Sequence, residues 1–308
     1  MTQEEKSVEP TIIEQTLREQ RDSWKEIAER VSAISSRELP HEPPKRIILF
    51  GLGSSFFAAK LAAFSLLRDK SRQRIPVVAC SSTSIGIDVL PRSGDWVFAL
   101  THRGTSAVTL QALLLSERLG AFTIMVTGKD VESAPGARYH LTTVPLERVE
   151  PHTSAVTGAI CAVTSLIMGQ KAVEEWDALR SIGDPDLGLY RSRAEMGPTI
   201  ILGEWEGEWL AHEGALKLME MAKLPVRAHG SEEFFHGPHH ALTAEDKIWH
   251  VSMPKDGRNT EIGAMKANLH HSIGIFGATP LAWIPALVEL QWLALAVALN
   301  RGINPDLK

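Results

Sequence analysis

Three charged residues in the second half of the chain stand at helical spacing. Glu213, Lys217 and Glu220 are separated by four and three positions, which places them along one face of a helix. Two carboxylates around one ammonium can hold each other in place, and one of them can then act as a general base whose pKa its neighbours set. A salt-bridged surface helix explains the same spacing without chemistry, so both interpretations stay open.

A histidine-rich stretch follows this helix. His236 lies between Phe235 and a Gly-Pro pair, where a turn could hold its imidazole as an acid or base. Together with His229, His239 and His240 it could instead bind a metal ion. No His-x-x-x-His pair with a carboxylate at zinc-site spacing accompanies these residues. We therefore expect neither a metal nor a cofactor.

Two turns built from small and hydroxyl residues follow apolar runs in the first half of the chain. They are Gly51–Ser55 and Thr101–Ser106, and such turns can hold an anion at a helix N-terminus. Arg103 could add a bidentate contact to an oxyanion, although a capped turn without a ligand remains the alternative. Phe56 replaces the third glycine of the dinucleotide fingerprint, which argues against a pyridine-nucleotide enzyme. The candidate binding residues are Gly53, Ser54, Ser55, Thr101, His102, Arg103, Gly104 and Ser106.

Short apolar runs alternate with helical patterns along the chain, which predicts parallel sheets covered by helices. In such sheets ligands bind beyond the carboxyl ends of the strands, where both turns lie. A helix is expected from about residue 153 to 174, and a polar linker at about 181–197. We therefore predict an α/β fold with two αβα-sandwich domains of flavodoxin-like layering. Their expected bounds are residues 1–180, with an N-terminal helix, and residues 181–308, a shorter copy.

Composition narrows the class of function. The 308 residues carry a net charge of -5 and are 44% hydrophobic, so the chain can bury sizeable cores but lacks the basic surface that nucleic-acid binding needs. Cys80 and Cys161 stand in apolar stretches and are expected to be buried and unreactive. The acidic start of the chain predicts no signal peptide, and no apolar run reaches membrane-spanning length. We expect a cytoplasmic protein.

Taken together, these motifs resemble the tandem SIS (sugar isomerase) family. The likeness is to the isomerase half of glucosamine-6-phosphate synthase and to stand-alone phosphosugar isomerases and deaminases. Its most specific part is EGALKLMEMAKLPVRAHGSEEFFHGP, residues Glu213–Pro238. The family has a Glu-Gly-Ala-Leu-Lys-Leu-Lys-Glu helix followed at a fixed distance by His-Gly-Pro, and the distance from Glu220 to His236 matches.

The resemblance implies roles for individual residues. Glu220 falls where the family has its base for proton transfer between C1 and C2, and His236 where a histidine from the neighbouring subunit assists ring opening. A homodimer is therefore implied. Glu213 and Lys217 match helix residues that support the site. The resemblance implies sugar or phosphate contacts for Ser55, Thr101, Arg103, Ser106 and, within the segment 153–157, Thr153.

Three departures from the family pattern stand out. Arg103 replaces a serine of the phosphate loop and His102 stands beside it, so the head group could be phosphate, sulfonate or carboxylate, or the pocket could be filled. The chain ends in Asn304–Lys308, where Lys308 could replace the lysine that the family delivers to the sugar. No glutaminase domain precedes the first helix, so synthesis of glucosamine phosphate is not expected.

The sequence therefore predicts a sugar isomerase or amino-sugar deaminase that moves a proton between C1 and C2 of a sugar with an anionic head. The joint presence of Lys217, Glu220 and His236 favours catalysis. A non-catalytic sensor that binds a sugar phosphate and regulates a partner is the alternative. The pattern contains no helix-turn-helix before Pro40, and no nucleic-acid or membrane partner is expected.

Overall fold

Two parallel β-sheets form the framework of the computed structural model, which describes residues 10–34, 38–70, 75–183, 186–265 and 268–307. The first sheet has the strand order β2-β1-β3-β4-β5 and the second the order β7-β6-β8-β9. The strands are β1 (Arg46–Gly51), β2 (Val77–Ser81), β3 (Asp95–Leu100), β4 (Phe122–Thr127), β5 (Tyr139–Thr142), β6 (Ile200–Gly203), β7 (Arg227–Gly230), β8 (Ile248–Ser252) and β9 (Leu269–Gly274).

Helices cover both faces of each sheet. They are α1 (Ile12–Ser32), α2 (Ser54–Arg68), α3 (Ala107–Arg118), α4 (Ser154–Met168), α5 (Gln170–Arg180), α6 (Leu187–Ala194), α7 (Glu206–Ala222), α8 (Ser231–Phe235), α9 (Asn259–Ala264) and α10 (Ile284–Asn300). The predicted α/β class with two αβα layers is confirmed. The second sheet repeats the order of the first up to its fourth strand, and this is the internal duplication that the order of elements suggested.

One hydrophobic core joins the two halves. Helices α1, α2 and α4 cover one face of the first sheet, and α7 and α10 cover one face of the second, with all five contributing to the same cluster of buried side chains. Helix α10 is buried on almost every side because it lies between the halves, and Leu287 and Trp292 are fully buried. Cys80 and Cys161 are both buried, as expected. None of the helices in the described ranges has the length and apolar character that crossing a bilayer requires.

Three elements differ from the sequence-based expectation. The single helix expected from about residue 153 to 174 is interrupted at Gly169, whose φ of 62° is open to glycine and costly for other residues. Strand β7 lies inside the histidine-rich stretch, which was not predicted to contain a strand. The polar segment at about 181–197 contains helix α6, whose Arg191 Nε donates to Asn300 Oδ1 on α10 at 3.0 Å.

Candidate active site

A cavity of about 30 Å³ opens at the carboxyl ends of strands β1, β3 and β4. Strands β1 and β3 are neighbours in the sheet although β2 separates them in sequence, and ligands bind at such reversals of strand order. The volume suits a group of a few heavy atoms rather than a whole sugar. The cavity is lined by Ser54, Ser55, Ala58, Thr101, His102, Val126, Thr127, Thr143, His152, Ala155, Val156 and Ala159.

The first turn lies between β1 and α2 and contributes Ser54 and Ser55 to the cavity wall. Gly53 has φ 54° and ψ −131°, and the Ser55 N–H donates to the Leu52 carbonyl at 3.1 Å. A Cβ on Gly51 would come within 2.6 Å of the Ser55 carbonyl carbon, so helix α2 can start this close to the strand only above a glycine.

Of the candidate binding residues in the second turn, some line the cavity and others do not. Thr101 and His102 line the cavity, and Gly104 takes a left-handed φ of 65°. Ser106 is the N-cap of α3, and its hydroxyl accepts from the Thr109 N–H at 3.4 Å and the Thr109 hydroxyl at 3.0 Å. The Ser106 oxygen is therefore engaged in holding the helix.

Arg103 forms a surface ion pair. Its Nη1 lies 2.9 Å from Glu150 Oε1, and both side chains are about half exposed. The guanidinium is still close enough to act on the imidazoles of His102 and His152. Arg103 therefore stands at the rim of the cavity with a carboxylate partner rather than inside it.

Two imidazoles meet in the cavity. The rings of His102 and His152 pack edge to face with centroids 4.8 Å apart. Burial lowers the pKa of each to about 4; the other imidazole and Arg103 add to this effect at His102, and Lys217 and Arg103 add to it at His152, against Glu150. Both rings are therefore neutral at pH 7.

A buried carboxylate fixes the helix behind the cavity. Glu147 accepts the Thr153 N–H at 2.9 Å and the Ala155 N–H at 2.6 Å, which are donors at the start of α4 that would otherwise lack partners. Thr153 is fully buried, and its hydroxyl also faces Glu147 at 3.3 Å. Thr153, predicted to contact the sugar, therefore contacts the carboxylate that caps its helix.

The predicted row of charges forms on helix α7 and is largely buried. Lys217 Nζ lies 2.6 Å from Glu220 Oε2 and 3.6 Å from Glu213 Oε1. Lys217 and Glu213 are almost completely buried, whereas 32% of the Glu220 side chain is exposed. The alternative of a salt-bridged surface helix is therefore wrong, because two of the three charged side chains are buried.

Burial and the charges within the row shift the pKa values of Glu213 and Lys217. Burial raises the pKa of Glu213 to about 7, with Lys217 acting in the opposite direction. Burial also opposes the charge on Lys217, but the Glu213 and Glu220 carboxylates together raise its pKa. Lys217 thus stays an ammonium, and Glu220 is the carboxylate of the row that reaches solvent.

Helix α7 packs against the first turn and helix α2 of the first half. The side chain of Leu216 lies 3.9 Å from the position that a Cβ on Gly53 would occupy. Phe57 of α2 stacks on His212 of α7 with ring centroids 5.7 Å apart, and Lys217 is close enough to His152 to lower its pKa. The charged row and the cavity are therefore close together where the two halves meet.

His236 stands apart from this site within the chain. It follows α8, its side chain is 68% exposed, and its Nε2 lies 3.1 Å from Glu232 Oε1. Its described partners do not include a residue of the cavity or of the charged row. Lys308, the other predicted catalytic residue outside α7, lies outside the described residues. Within the described ranges no group of three or more His, Cys, Asp and Glu side chains could hold a metal ion.

Sequence reasoning missed two residues of the site. His152 immediately precedes the segment 153–157 that was singled out, and a second histidine beside a predicted helix start was the available signal. Glu147 gave no signal, since a carboxylate in a loop is exposed in most proteins.

Curated proteins related to the chain share one description. A glutamine–fructose-6-phosphate aminotransferase (isomerizing) from Pyrobaculum aerophilum is 26% identical over 337 aligned positions, covering 92% of this chain and 55% of that protein. The protein of the same description from Sulfurisphaera tokodaii is 25% identical over 231 positions, covering 71% of this chain and 38% of that protein. The chain spans about half, or less, of the length of the curated relatives it matches. No family model matches it.

Solved structures have the same fold. The C-terminal domain of glucosamine-fructose-6-phosphate aminotransferase from Francisella tularensis superposes with a TM-score of 0.79 at 16% identity, covering 100% of both chains. Tagatose-6-phosphate ketose/aldose isomerase from Escherichia coli gives 0.76 at 18%, covering 96% of this chain and 94% of that one. Glucosamine-6-phosphate deaminase from Thermotoga maritima gives 0.74 at 17%, covering 96% and 97%. The predicted resemblance to the tandem sugar-isomerase fold is confirmed.

Proposed function

We propose that the protein is an aldose–ketose isomerase, or an amino-sugar isomerase that releases ammonia, acting on a sugar phosphate. The observation that carries the proposal is the contact between Lys217 and Glu220, 2.6 Å apart, on a helix packed against the Gly51–Ser55 turn of the other half. A half-buried carboxylate held by a buried ammonium is suited to accept and return a proton. The relatives named as isomerising aminotransferases, and the solved isomerase and deaminase, are consistent with it.

In this proposal the head group enters the cavity and the open carbon chain extends towards α7. Glu220 takes the proton from C2 of an aldose and returns it to C1, while the O2 proton moves to O1, which gives the ketose. Lys217 holds the carboxylate in place and compensates negative charge that develops on the enediol oxygens. Ser54 lines the cavity and is close enough to Glu213 to lower its pKa, so it connects the cavity with the charged row.

An amine at C2 would give the second reaction with the same residues. One proton moves from C2 to C1 and another from the amine to O1, and the product is an imine at C2. Addition of one water molecule then releases ammonia and leaves the ketose. Isomerisation and deamination therefore differ in the substituent at C2 and in the use of water, and not in the base.

The role of His236 requires a second copy of the chain. We propose a homodimer in which His236 of one subunit assists ring opening in the other, because its side chain is exposed and its described partner, Glu232, is not part of the charged row. The domain bounds 1–180 and 181–308 belong to the same proposal, with the site shared between the two domains.

The test is a conversion assay with fructose 6-phosphate, tagatose 6-phosphate, glucosamine 6-phosphate and the corresponding sulfonates. We expect wild-type protein to convert at least one of them and the Glu220→Gln variant to bind the same compound without converting it. Binding of a sugar phosphate with no conversion of any compound would instead support the non-catalytic sensor.

A further inference from the structure

Two buried nitrogen atoms on neighbouring histidines have no hydrogen-bond partner among the described residues. They are His102 Nδ1 and His152 Nε2, and both rings line the cavity. Buried polar atoms are normally paired, and an unpaired one costs about 1–3 kcal/mol. A ligand with oxygen atoms in the cavity would satisfy both. This inference rests on the proposed function, in which an anionic head group enters the cavity.

His102 is fixed as a neutral donor. Its Nε2 accepts the backbone N–H of Glu147 at 3.1 Å, so this nitrogen carries no proton. The proton of the neutral ring is then on Nδ1, which is the unpartnered atom. Protonating His102 would place a second N–H against the Glu147 N–H, so the ring keeps its neutral state and its Nδ1–H remains a donor.

None of the described hydrogen bonds fixes which ring nitrogen of His152 carries the proton. The charged groups that face it are Lys217 of α7 and Arg103 of the second turn, both positive, and Glu150, which is negative and paired with Arg103. An anion bound beside His152 would oppose the two cations and favour a proton on the ring.

The cavity itself provides little positive charge. Its lining, as far as the structure describes it, contains hydroxyl, apolar and imidazole side chains but no lysine or arginine. Arg103 is paired with Glu150 at the rim, and Lys217 with two carboxylates. The first N–H groups of α4 are taken by Glu147. A doubly charged head group would therefore lack a full complement of positive charge.

We propose that His152 takes up a proton when a phosphate monoester dianion occupies the cavity, while His102 Nδ1–H serves as a fixed donor to the same head group. A phosphate monoester carries two charges above pH about 6, and the proton reduces the charge that the cavity must compensate. A sulfonate carries a single charge and would bind without the proton. The histidine pair thus distinguishes the two head groups by charge.

The test uses glucitol 6-phosphate, an open-chain phosphate that cannot isomerise, and its 6-sulfonate counterpart. Calorimetry at pH 7 in two buffers of different ionisation enthalpy gives the number of protons taken up per bound ligand. For wild-type protein we expect about one proton with the phosphate and about none with the sulfonate. The His152→Gln variant should take up about none with either and bind the phosphate at least tenfold more weakly.

A matched control and a second readout complete the design. His270→Gln changes an exposed histidine outside the site and should leave both values at the wild-type level. Ring-nitrogen NMR of wild-type protein should show His152, and not His102, becoming protonated as the phosphate is added. The proposal is overturned if wild-type protein does not bind the phosphate, if it binds it without proton uptake, or if His152→Gln takes up the same proton. Conversion of the matching hexose phosphate, measured separately, decides the proposed function.

Discussion

The two halves of the molecule use the same strand-to-helix turn with different side chains. In the first half the turn runs from Gly51 to Ser54, and in the second from Gly203 to Glu206. Gly53 has φ 54° and ψ −131°, and its counterpart Trp205 has φ 57° and ψ −119°. A Cβ on either strand-end glycine would come within 2.6 Å of the helix backbone. The duplication is therefore visible in the backbone although it is weak in the sequence.

The side chains on this shared turn decide what each half can bind. Ser54 and Ser55 leave neutral donors at the start of α2, facing the cavity. In the second turn Ser54 is matched by Glu206, which is paired with Arg68, and Leu52 by Glu204, which accepts the Glu232 N–H at 2.9 Å. An anion can approach the first turn but not the second. The second half instead contributes charge from further along α7, so in the proposed function binding and proton transfer are divided between the halves.

The largest effect is expected at the buried ion pairs of Lys217 on helix α7, the feature in which the second half differs most from the first. Lys217→Met leaves the Glu213 carboxylate buried beside an apolar side chain, and breaking such a pair costs about 3–5 kcal/mol. We expect that loss in the free energy of unfolding at pH 8, measured by urea denaturation. The exposed pair of Lys129 and Glu26, with 37% and 58% of the side chains exposed, is the control; Lys129→Met should cost less than about 1 kcal/mol.

The loss should depend on pH with a definite sign. Burial raises the pKa of Glu213 to about 7 from an ordinary 4.5, so its contribution to stability is fully present below pH 4.5 and decreases as the pH rises through 7. Removing Lys217 extends this decrease to higher pH. The destabilisation should therefore be larger at pH 8 than at pH 5, and equal losses at both would show that Glu213 does not carry the effect.

A smaller effect is expected from making the first turn chemically like the second. Ser54→Glu places a carboxylate at the start of α2, where it favours the helix by about 0.3–1 kcal/mol but repels an anionic ligand. We expect affinity for glucitol 6-phosphate to fall by at least about 100-fold, as measured by calorimetry, and stability to fall as well because the new carboxylate lies beside the buried Glu213. Ser192→Glu, on the exposed surface of α6, should bind as wild type does. Unchanged affinity in Ser54→Glu would place the head group elsewhere.

The smallest effect is expected at Gly53 and Trp205, the residues of positive φ in the two equivalent turns. Trp205 is 57% exposed and holds a conformation that costs a non-glycine residue about 1–3 kcal/mol. Trp205→Gly should stabilise the protein by about 1 kcal/mol after the entropy of glycine is deducted. Gly53→Ala, where the nearest described atom to the new Cβ is 3.9 Å away, should destabilise it by a similar amount through backbone strain alone. Thermal denaturation measures both, and shifts of the same sign would contradict the equivalence of the turns.

The fold could be predicted from the sequence because its signals are local. Apolar runs bounded by glycine and proline identify most of the strands, and the spacing of Glu213, Lys217 and Glu220 identifies one face of α7. The break in the helix at Gly169 could not be predicted, because glycine inside a helical pattern is often tolerated. Strand β7 is only four residues long and lacks the apolar run of a central strand.

The site could be predicted only in part because its environment depends on distant contacts. The sequence indicated that Ser54, Ser55, Thr101 and His102 lie at the carboxyl ends of strands. It could not indicate that Arg103 pairs with Glu150 or that Ser106 is the cap of α3, since each depends on where a side chain points. Burial of Glu213 and Lys217 arises from packing between the halves and has no local signal.

The most direct test that Glu220 transfers the proton is the exchange of the carbon-bound proton at C1 and C2 with solvent deuterium, followed by NMR. Fructose 6-phosphate and glucosamine 6-phosphate are incubated in deuterated water with wild-type protein, with Glu220→Gln, and with Glu19→Gln as an exposed control on α1. The account predicts exchange by wild type and Glu19→Gln, and exchange about 10²–10⁴-fold slower by Glu220→Gln, which still binds glucitol 6-phosphate. Exchange by Glu220→Gln at the wild-type rate would contradict the assignment of Glu220 as the base.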